Sequence, residues 1–186
     1  AMMGGLGNGH SPILTSPDLP AQGLTDATAV ASGSLFSCAL RATKAVMCWG
    51  VGPFGDGATS QYKASFVPSS VPGATDITAF DVGSEHGCAV ITGGAVKCLG
   101  RNDYGQLGDG STDDSYLAML NVSGISDASS VATGRSHSCA LRAGGTVACW
   151  GHNGDRQLGD GTTDNSANPV TVDGVSNATQ IAAGRD

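Results

Sequence analysis

The sequence holds a single glutamate, Glu85, against fifteen aspartates. Aspartate suits turns and glutamate suits helices, so the bias points away from helical structure. No stretch carries a sustained helical period with caps, and helix is expected to be minimal. Basic residues are also scarce. Nine Lys and Arg stand against sixteen acids, for a net charge of −7, and they are scattered along the chain. Nucleic-acid binding needs a basic stripe to neutralise phosphates, so no nucleic-acid partner is expected. No apolar run approaches the ~18 residues of a membrane span, and no membrane insertion is expected. No signal peptide is visible, and Ala1-Met2 reads as a cloning scar.

Glycine, by contrast, is abundant at 29 residues, and six cysteines fall into three matched pairs. Ser37-Cys38-Ala39-Leu40 leads to Cys48-Trp49-Gly50, Gly87-Cys88-Ala89-Val90 to Cys98-Leu99-Gly100, and Ser138-Cys139-Ala140-Leu141 to Cys149-Trp150-Gly151. Each pair is ten positions apart, and the copies recur every 50 or 51 residues. A period in this range marks a repeat architecture. A Gly-rich turn accompanies the hairpins: Leu6-Gly7-Asn8-Gly9, Phe54-Gly55-Asp56-Gly57, Leu107-Gly108-Asp109-Gly110 and Leu158-Gly159-Asp160-Gly161. So does a strand of small residues ending in Gly, at 28–33, 77–83, 130–134 and 181–184. Its small residues suggest a crowded inner position around an axis. A further strand is expected near 12–14, 66–68, 117–120 and 169–172. Four short strands per unit of this length is the signature of a propeller blade.

Gly134-Arg135-Ser136-His137-Ser138-Cys139-Ala140-Leu141, then Cys149-Trp150-Gly151 and Gln157-Leu158-Gly159-Asp160-Gly161-Thr162, closely resembles the regulator-of-chromosome-condensation repeat. The resemblance covers nearly the whole chain, and the Cys-bearing hairpin is similar to the extracytoplasmic bacterial branch of that family. It implies an all-β fold, a β-propeller built from four-stranded antiparallel blades. Family propellers usually have seven blades, which at this period needs about 350 residues, so a partial propeller of about three and a half repeats is expected. The boundaries read as follows: 1–5 a cloning remnant and incomplete turn, 6–27 the fourth strand of a preceding blade, 28–76, 77–127 and 128–178 three blades. Residues 179–186 would form the inner strand of a next blade. The first repeat is irregular, with six residues from Cys48 to Phe54 where the others use nine.

Strand alternation puts His137, Cys139 and Leu141 on one side, with Val147 and Cys149 facing them across a turn near Ala143-Gly144-Gly145. Opposed non-hydrogen-bonded residues lie about 4.5 Å apart, within disulfide reach. Three readings compete: disulfides Cys38–Cys48, Cys88–Cys98 and Cys139–Cys149, free buried thiols, or metal ligation. An even count in matched pairs favours the disulfides and a secreted or extracytoplasmic location. Zinc is weakest, because His86 and His137 could be third ligands but the first repeat has Phe36 there.

No metal site, cofactor or catalytic residue is expected. A nucleophile, base and orienting acid should occur in one unique place, whereas His137 and Asp160 recur with the repeat. His10 and His152 lie in Gly-rich loops. The acidic loops 109–114 and 160–164 invite a calcium reading, but neither matches the EF-hand pattern and turn formation explains them. Asn121-Val122-Ser123 and Asn177-Ala178-Thr179 match the glycosylation acceptor pattern, as chance matches do in a chain rich in Ser, Thr and Asn.

The strand order places two loop types on one face, after the small-residue strand and after Trp-Gly. Aromatic and Arg residues in such loops are favoured interface anchors. Phe36, Phe54, Arg101, Tyr104, Arg135 and Arg156 are therefore the expected partner contacts. The alternative is that Phe54 replaces the repeat's Leu in the core and the arginines cap loops. The expected function is a non-enzymatic protein-binding scaffold, the partner a protein. The resemblance also implies a secreted inhibitor of a bacterial enzyme as an alternative; apart from the resemblance, a carbohydrate-binding or enzymatic module is a further alternative. Three blades in isolation would expose apolar faces, so a homodimer closing the propeller is the expected assembly.

Overall fold

The computed structural model describes residues 21–52 and 63–185. Strands β1 (Ala27–Ser32), β2 (Phe36–Arg41), β3 (Val46–Gly52) and β4 (Lys63–Ser70) form a first sheet. A second contains β5 (Ile77–Val82), β6 (His86–Ile91), β7 (Val96–Gly100) and β8 (Ser115–Asn121), and a third β9 (Ala128–Thr133), β10 (His137–Arg142), β11 (Val147–Gly151) and β12 (Ser166–Thr171). Each sheet is antiparallel with its strands in chain order. Among the described residues the only other regular element is a 3-10 turn at Ala143–Gly145. The strand expected near Ile13 lies outside the described residues.

One expectation needs correcting. Residues 179–185 form no strand. A strand exists through its ladder, and no described strand pairs with this segment as β2 pairs β1. The segment instead lies against the third sheet, with Ile181 packed on the cluster of Leu141, Val147, Cys149 and Leu158, and the Arg135 N–H donates to the Arg185 carbonyl.

The hairpin registers oppose Cys38 to Cys48, Cys88 to Cys98 and Cys139 to Cys149. Their Cα atoms are 4.1, 4.1 and 4.0 Å apart, and each pair forms a disulfide. In the hairpin turns, Lys44, Gly94 and Gly145 occupy one position with φ of 63°, 89° and 79°. That position is left-handed because its carbonyl must point outward, where it accepts from Ile77, Ala128 and Ala178 N–H at 3.0, 2.8 and 2.9 Å. Each turn thus ties its sheet to the segment that follows.

The sheets stack side by side. Phe36, Leu40, Val71, Ile77, Val82 and Leu99 pack between the first and second. Val90, Val122, Ile125, Val131 and Trp150 pack between the second and third. The small-residue strands converge at their glycine ends. A Cβ on Gly33 would strike the Gly83 carbonyl oxygen, one on Gly83 that of Gly134, and one on Gly134 would lie 2.6 Å from that of Gly184. Only glycine permits four backbones to approach so closely. This brings the loops after β1, β5 and β9 around one mouth.

Candidate functional site: a groove on the long-loop face

The loops between the inner strand and the hairpin meet those after the Trp-Gly and Leu-Gly ends of β3, β7 and β11. Together they line an open groove of about 810 Å³. All three sheets contribute, through Ser34 and Leu35, Ser84 and Glu85, and Arg135 and Ser136. The second and third sheets add Arg101, Tyr104, His152 and Gln157 from their long loops.

These loops are held by a device repeated in two copies. Asn102 is fully buried; its Oδ1 accepts the Leu107 N–H at 2.8 Å, and its Nδ2 donates to the carbonyls of Ser111 and Asp113 at 3.1 and 3.0 Å. The Asn102 N–H donates to Asp114 Oδ1 at 2.6 Å. Asn153 does the same with the Leu158 N–H at 3.0 Å, with Asp160 and Thr162 through Nδ2, and with Asn165 Oδ1 through its own N–H. A buried amide with its capacity satisfied fixes a loop that lacks ladder bonds. The Asp109 and Asp160 carboxylates accept from Ser111 and Thr162 within their own turns. Donation by the Thr162 N–H is the main reason the Asp160 carboxyl lies below its usual range. These acids therefore serve the turns. Sequence reading passed over Asn102 and Asn153, although the spacing of five to Leu107 and Leu158 repeats and would have found them.

At the groove wall Arg101 donates to Glu85 Oε2 at 2.6 Å and pairs with Asp103. Those two carboxylates, Glu85 first, hold its guanidinium above its ordinary pKa. Tyr104 stands 39% exposed, edge-on to the His152 ring at a centroid distance of 4.8 Å. Gln157 Nε2 donates to His152 Nδ1 at 2.8 Å, and Gln157 Oε1 accepts the Asp155 N–H.

Arg101, Tyr104 and Arg135 thus share one groove. Arg156 is exposed on the long loop after β11, beside His152 and Gln157, but does not line the groove. Phe36 requires a correction: it is only 4% exposed, and its ring fills the space beside Gly33 and Gly52, so it belongs to the core. Phe54 lies outside the described residues, as do His10 and the first repeat's Gly-Asp-Gly turn.

Ser138 and His86 come nearest to a nucleophile with a base, at 2.9 Å. Both are fully buried. Ser138 Oγ donates to the Gln106 carbonyl, which also accepts the Trp150 Nε1–H, both at 2.9 Å. The hydroxyl oxygen must then accept from His86 Nε2–H. Burial, and next the neighbouring His137, push His86 down to a pKa of about 4. The arrangement packs one sheet on another.

Models of the regulator of chromosome condensation (RCC1) repeat match residues 27–56 and 128–157, and 94–141 and 144–186, more than half of the chain. The chain belongs to the regulator-of-chromosome-condensation repeat family. Its sheets superpose on blades of solved propellers. Prp20p from Saccharomyces cerevisiae is similar with a TM-score of 0.72 at 21% identity over 88% of this chain and 43% of that one. Human WBSCR16 gives 0.69 at 22% identity, over 80% of this chain and 42% of that one. The ectodomain of the Physcomitrella patens receptor kinase CR4 gives 0.53 at 22%, over 91% and 38%. The chain therefore spans less than half the length of these propellers. No curated protein sequence matches it. Prp20p is described with binding properties to Gsp1p and histones, and in complex with Kap60.

Proposed function

We propose that the chain is a non-enzymatic protein-binding scaffold whose partner contacts the long-loop face. The observation that carries the reading is the groove itself. It gathers loops from three blades, two of them anchored by a buried asparagine, and presents Tyr104, Arg101 and Arg135 together. Exposed aromatic and Arg side chains on a rigid frame are the usual anchors of an interface. The description of Prp20p as a binder of other proteins supports the same reading. Affinity capture from the source organism, followed by mass spectrometry, should recover one dominant protein, and Tyr104→Ala should cut its yield severely. Equal recovery with Tyr104→Ala and with Arg101→Ala would sink the proposal.

An extracytoplasmic location accompanies it. Three hairpin disulfides persist in oxidising compartments and are rare in the cytosol. Peptide mapping of native protein without reductant should yield three linked pairs and no alkylated cysteine.

A two-fold dimer is the assembly we favour. Val30 on β1 is 74% exposed, whereas its counterpart on β9, Val131, is 7% exposed beneath a neighbouring sheet. A second copy supplying the covering blade would bury that face. Light scattering after size exclusion should give twice 18.4 kDa, and a monomer mass at every concentration would refute the dimer.

A further inference from the structure

The inner strands β1, β5 and β9 are each paired along one edge, to β2, β6 and β10. Residues 179–184 hold the same place in the repeat and are fixed there in the same way, but no described strand reaches them. The Ala178 N–H donates to the Gly145 carbonyl at 2.9 Å, as those of Ile77 and Ala128 donate to Lys44 and Gly94. Ile181 is packed on the third sheet, and the Gly184 carbonyl lies against Gly134 as that of Gly134 lies against Gly83. Ala178 and Gly184 are six residues apart, as Ala128 and Gly134 are around β9, so the backbone between them spans the length of a strand.

The segment lacks only its ladder. At the other axial glycines the N–H donates to the first residue of the hairpin: Gly33 to Phe36, Gly83 to His86 and Gly134 to His137, each at 2.9 Å. The Gly184 N–H has no acceptor among the described residues. The backbone groups of Gln180 and Ala182 are likewise unmatched there, whereas their counterparts Ser130 and Ala132 pair with Leu141 and Cys139. A further unmet group lies on the third blade itself. The Gln106 carbonyl accepts from Ser138 Oγ and Trp150 Nε1, but its counterpart, the Gln157 carbonyl, accepts nothing among the described residues.

The registers define what would fit. Opposite Val30, Phe80 and Val131, the counterparts of Ile181, stand Ala39, Ala89 and Ala140, all buried. Opposite Ser32, Val82 and Thr133, the counterparts of Ala183, stand Ser37, Gly87 and Ser138. A strand laid on this edge therefore needs small residues at two alternate positions, and a serine at the second can donate to the Gln157 carbonyl as Ser138 does to that of Gln106. A second copy has no such strand to lend, because its β2, β6 and β10 are already paired on both edges. We propose that residues 179–184 form a docking edge that takes an extended strand of a different protein, one with Ser and Ala at alternate positions. Unpaired strand edges are templates for another chain, with the ladder supplying affinity and alternate side chains selectivity. The edge starts at the groove, where Ala183 and Gly184 line the wall, and runs away from it, so it is a surface beyond the long-loop face.

The test titrates the whole chain with a fluorescein-labelled peptide of residues 136–151, its Cys139–Cys149 disulfide closed, read by fluorescence anisotropy. This peptide carries Ser138 and Ala140 at the two small positions. It should bind, and the same peptide with Ala140→Arg should not. In the chain, Ala182→Pro removes a ladder donor and should weaken binding roughly fivefold or more, while Lys44→Gln in the hairpin turn of the first blade should leave it unchanged. Ala182 makes no hydrogen bond among the described residues, so thermal melts of both variants should coincide with the parent. Amide exchange in the parent chain, followed by NMR, should slow at Gln180, Ala182 and Gly184 when the peptide is added. Absence of binding, equal binding of the two peptides, binding that survives Ala182→Pro, or unchanged exchange at those three amides overturns the inference.

Discussion

The contact between the first and second blades and that between the second and third use the same repeat positions with opposite chemistry. At one position the first blade carries Phe36 and the second His86. The residue that His86 meets on the next blade is Ser138, and the same repeat position one blade earlier is Gly87. At another position Asp81 pairs with Thr133, whose N–H and Oγ1 donate to the Asp81 carboxylate at 2.8 and 3.1 Å, and the same repeat positions at the first interface hold Ala31 and Val82, both in its apolar cluster. One interface is apolar at both positions and the other is polar at both. A large ring needs no hydroxyl opposite it, whereas a buried imidazole does. The repeat therefore tolerates either solution provided that both sides change together.

The most severe way to break this comparison is to empty the apolar interface. Phe36→Ala removes a nearly buried ring and should cost about 3–5 kcal/mol, seen as a lower midpoint in urea. The polar interface should show itself through pH. His86 is neutral in the fold, with its pKa lowered to about 4 from 6.5. Its folded pKa is depressed, so the unfolded chain takes up the proton first. Stability is intact above pH 6.5, is lost as pH falls through that window, and levels off below pH 4. The loss should be roughly 3 kcal/mol. Transplanting the first interface, as His86→Phe with Ser138→Gly, should flatten that part of the stability profile. A profile unchanged by the transplant would show that His86 does not carry the acid response.

Removing one polar tie is a smaller perturbation. Asp81→Ala leaves the Thr133 hydroxyl and N–H without their acceptor and should cost about 1–3 kcal/mol, while Ala31→Gly at the matching place should cost about 1 kcal/mol or less. Denaturant titration of both distinguishes a polar tie from generic loosening. The smallest effect is expected at the hairpin turns. Lys44 holds a φ of 63° where the other two blades have glycine. Lys44→Gly relieves that strain but adds freedom to the unfolded chain, for a net gain of about 0.5 kcal/mol. Thermal melting should show a small rise.

Much of the fold was legible because the repeat states it three times. The cysteine register, the turn at Ala143-Gly144-Gly145 and the four strands of each unit follow from alternation and turn chemistry, which are local properties. The site was less legible. Arg101, Tyr104 and Arg135 could be assigned to one face from strand order alone. Phe36 could not be told from an exposed anchor, because nothing near it in sequence reveals that Gly33 and Gly52 leave a space for its ring. Asn102 and Asn153 were visible as a recurring spacing, but their role depends on bonds to residues up to twelve positions away.

The amino-acid sequence by itself determined the unit: strand lengths, hairpin pairing, cysteine partners and the glycines that end each inner strand. These depend on backbone preferences and on contacts within some fifty residues, which composition and spacing encode directly. Only the tertiary structure decided how units meet. The axial stacking of Gly33, Gly83, Gly134 and Gly184, the choice of ring or imidazole between blades, and the gathering of arginines at one mouth all arise between residues one repeat apart. A segment at 179–185 has the sequence of an inner strand and yet forms none, because a strand is made by its neighbour's hydrogen bonds and not by its own residues.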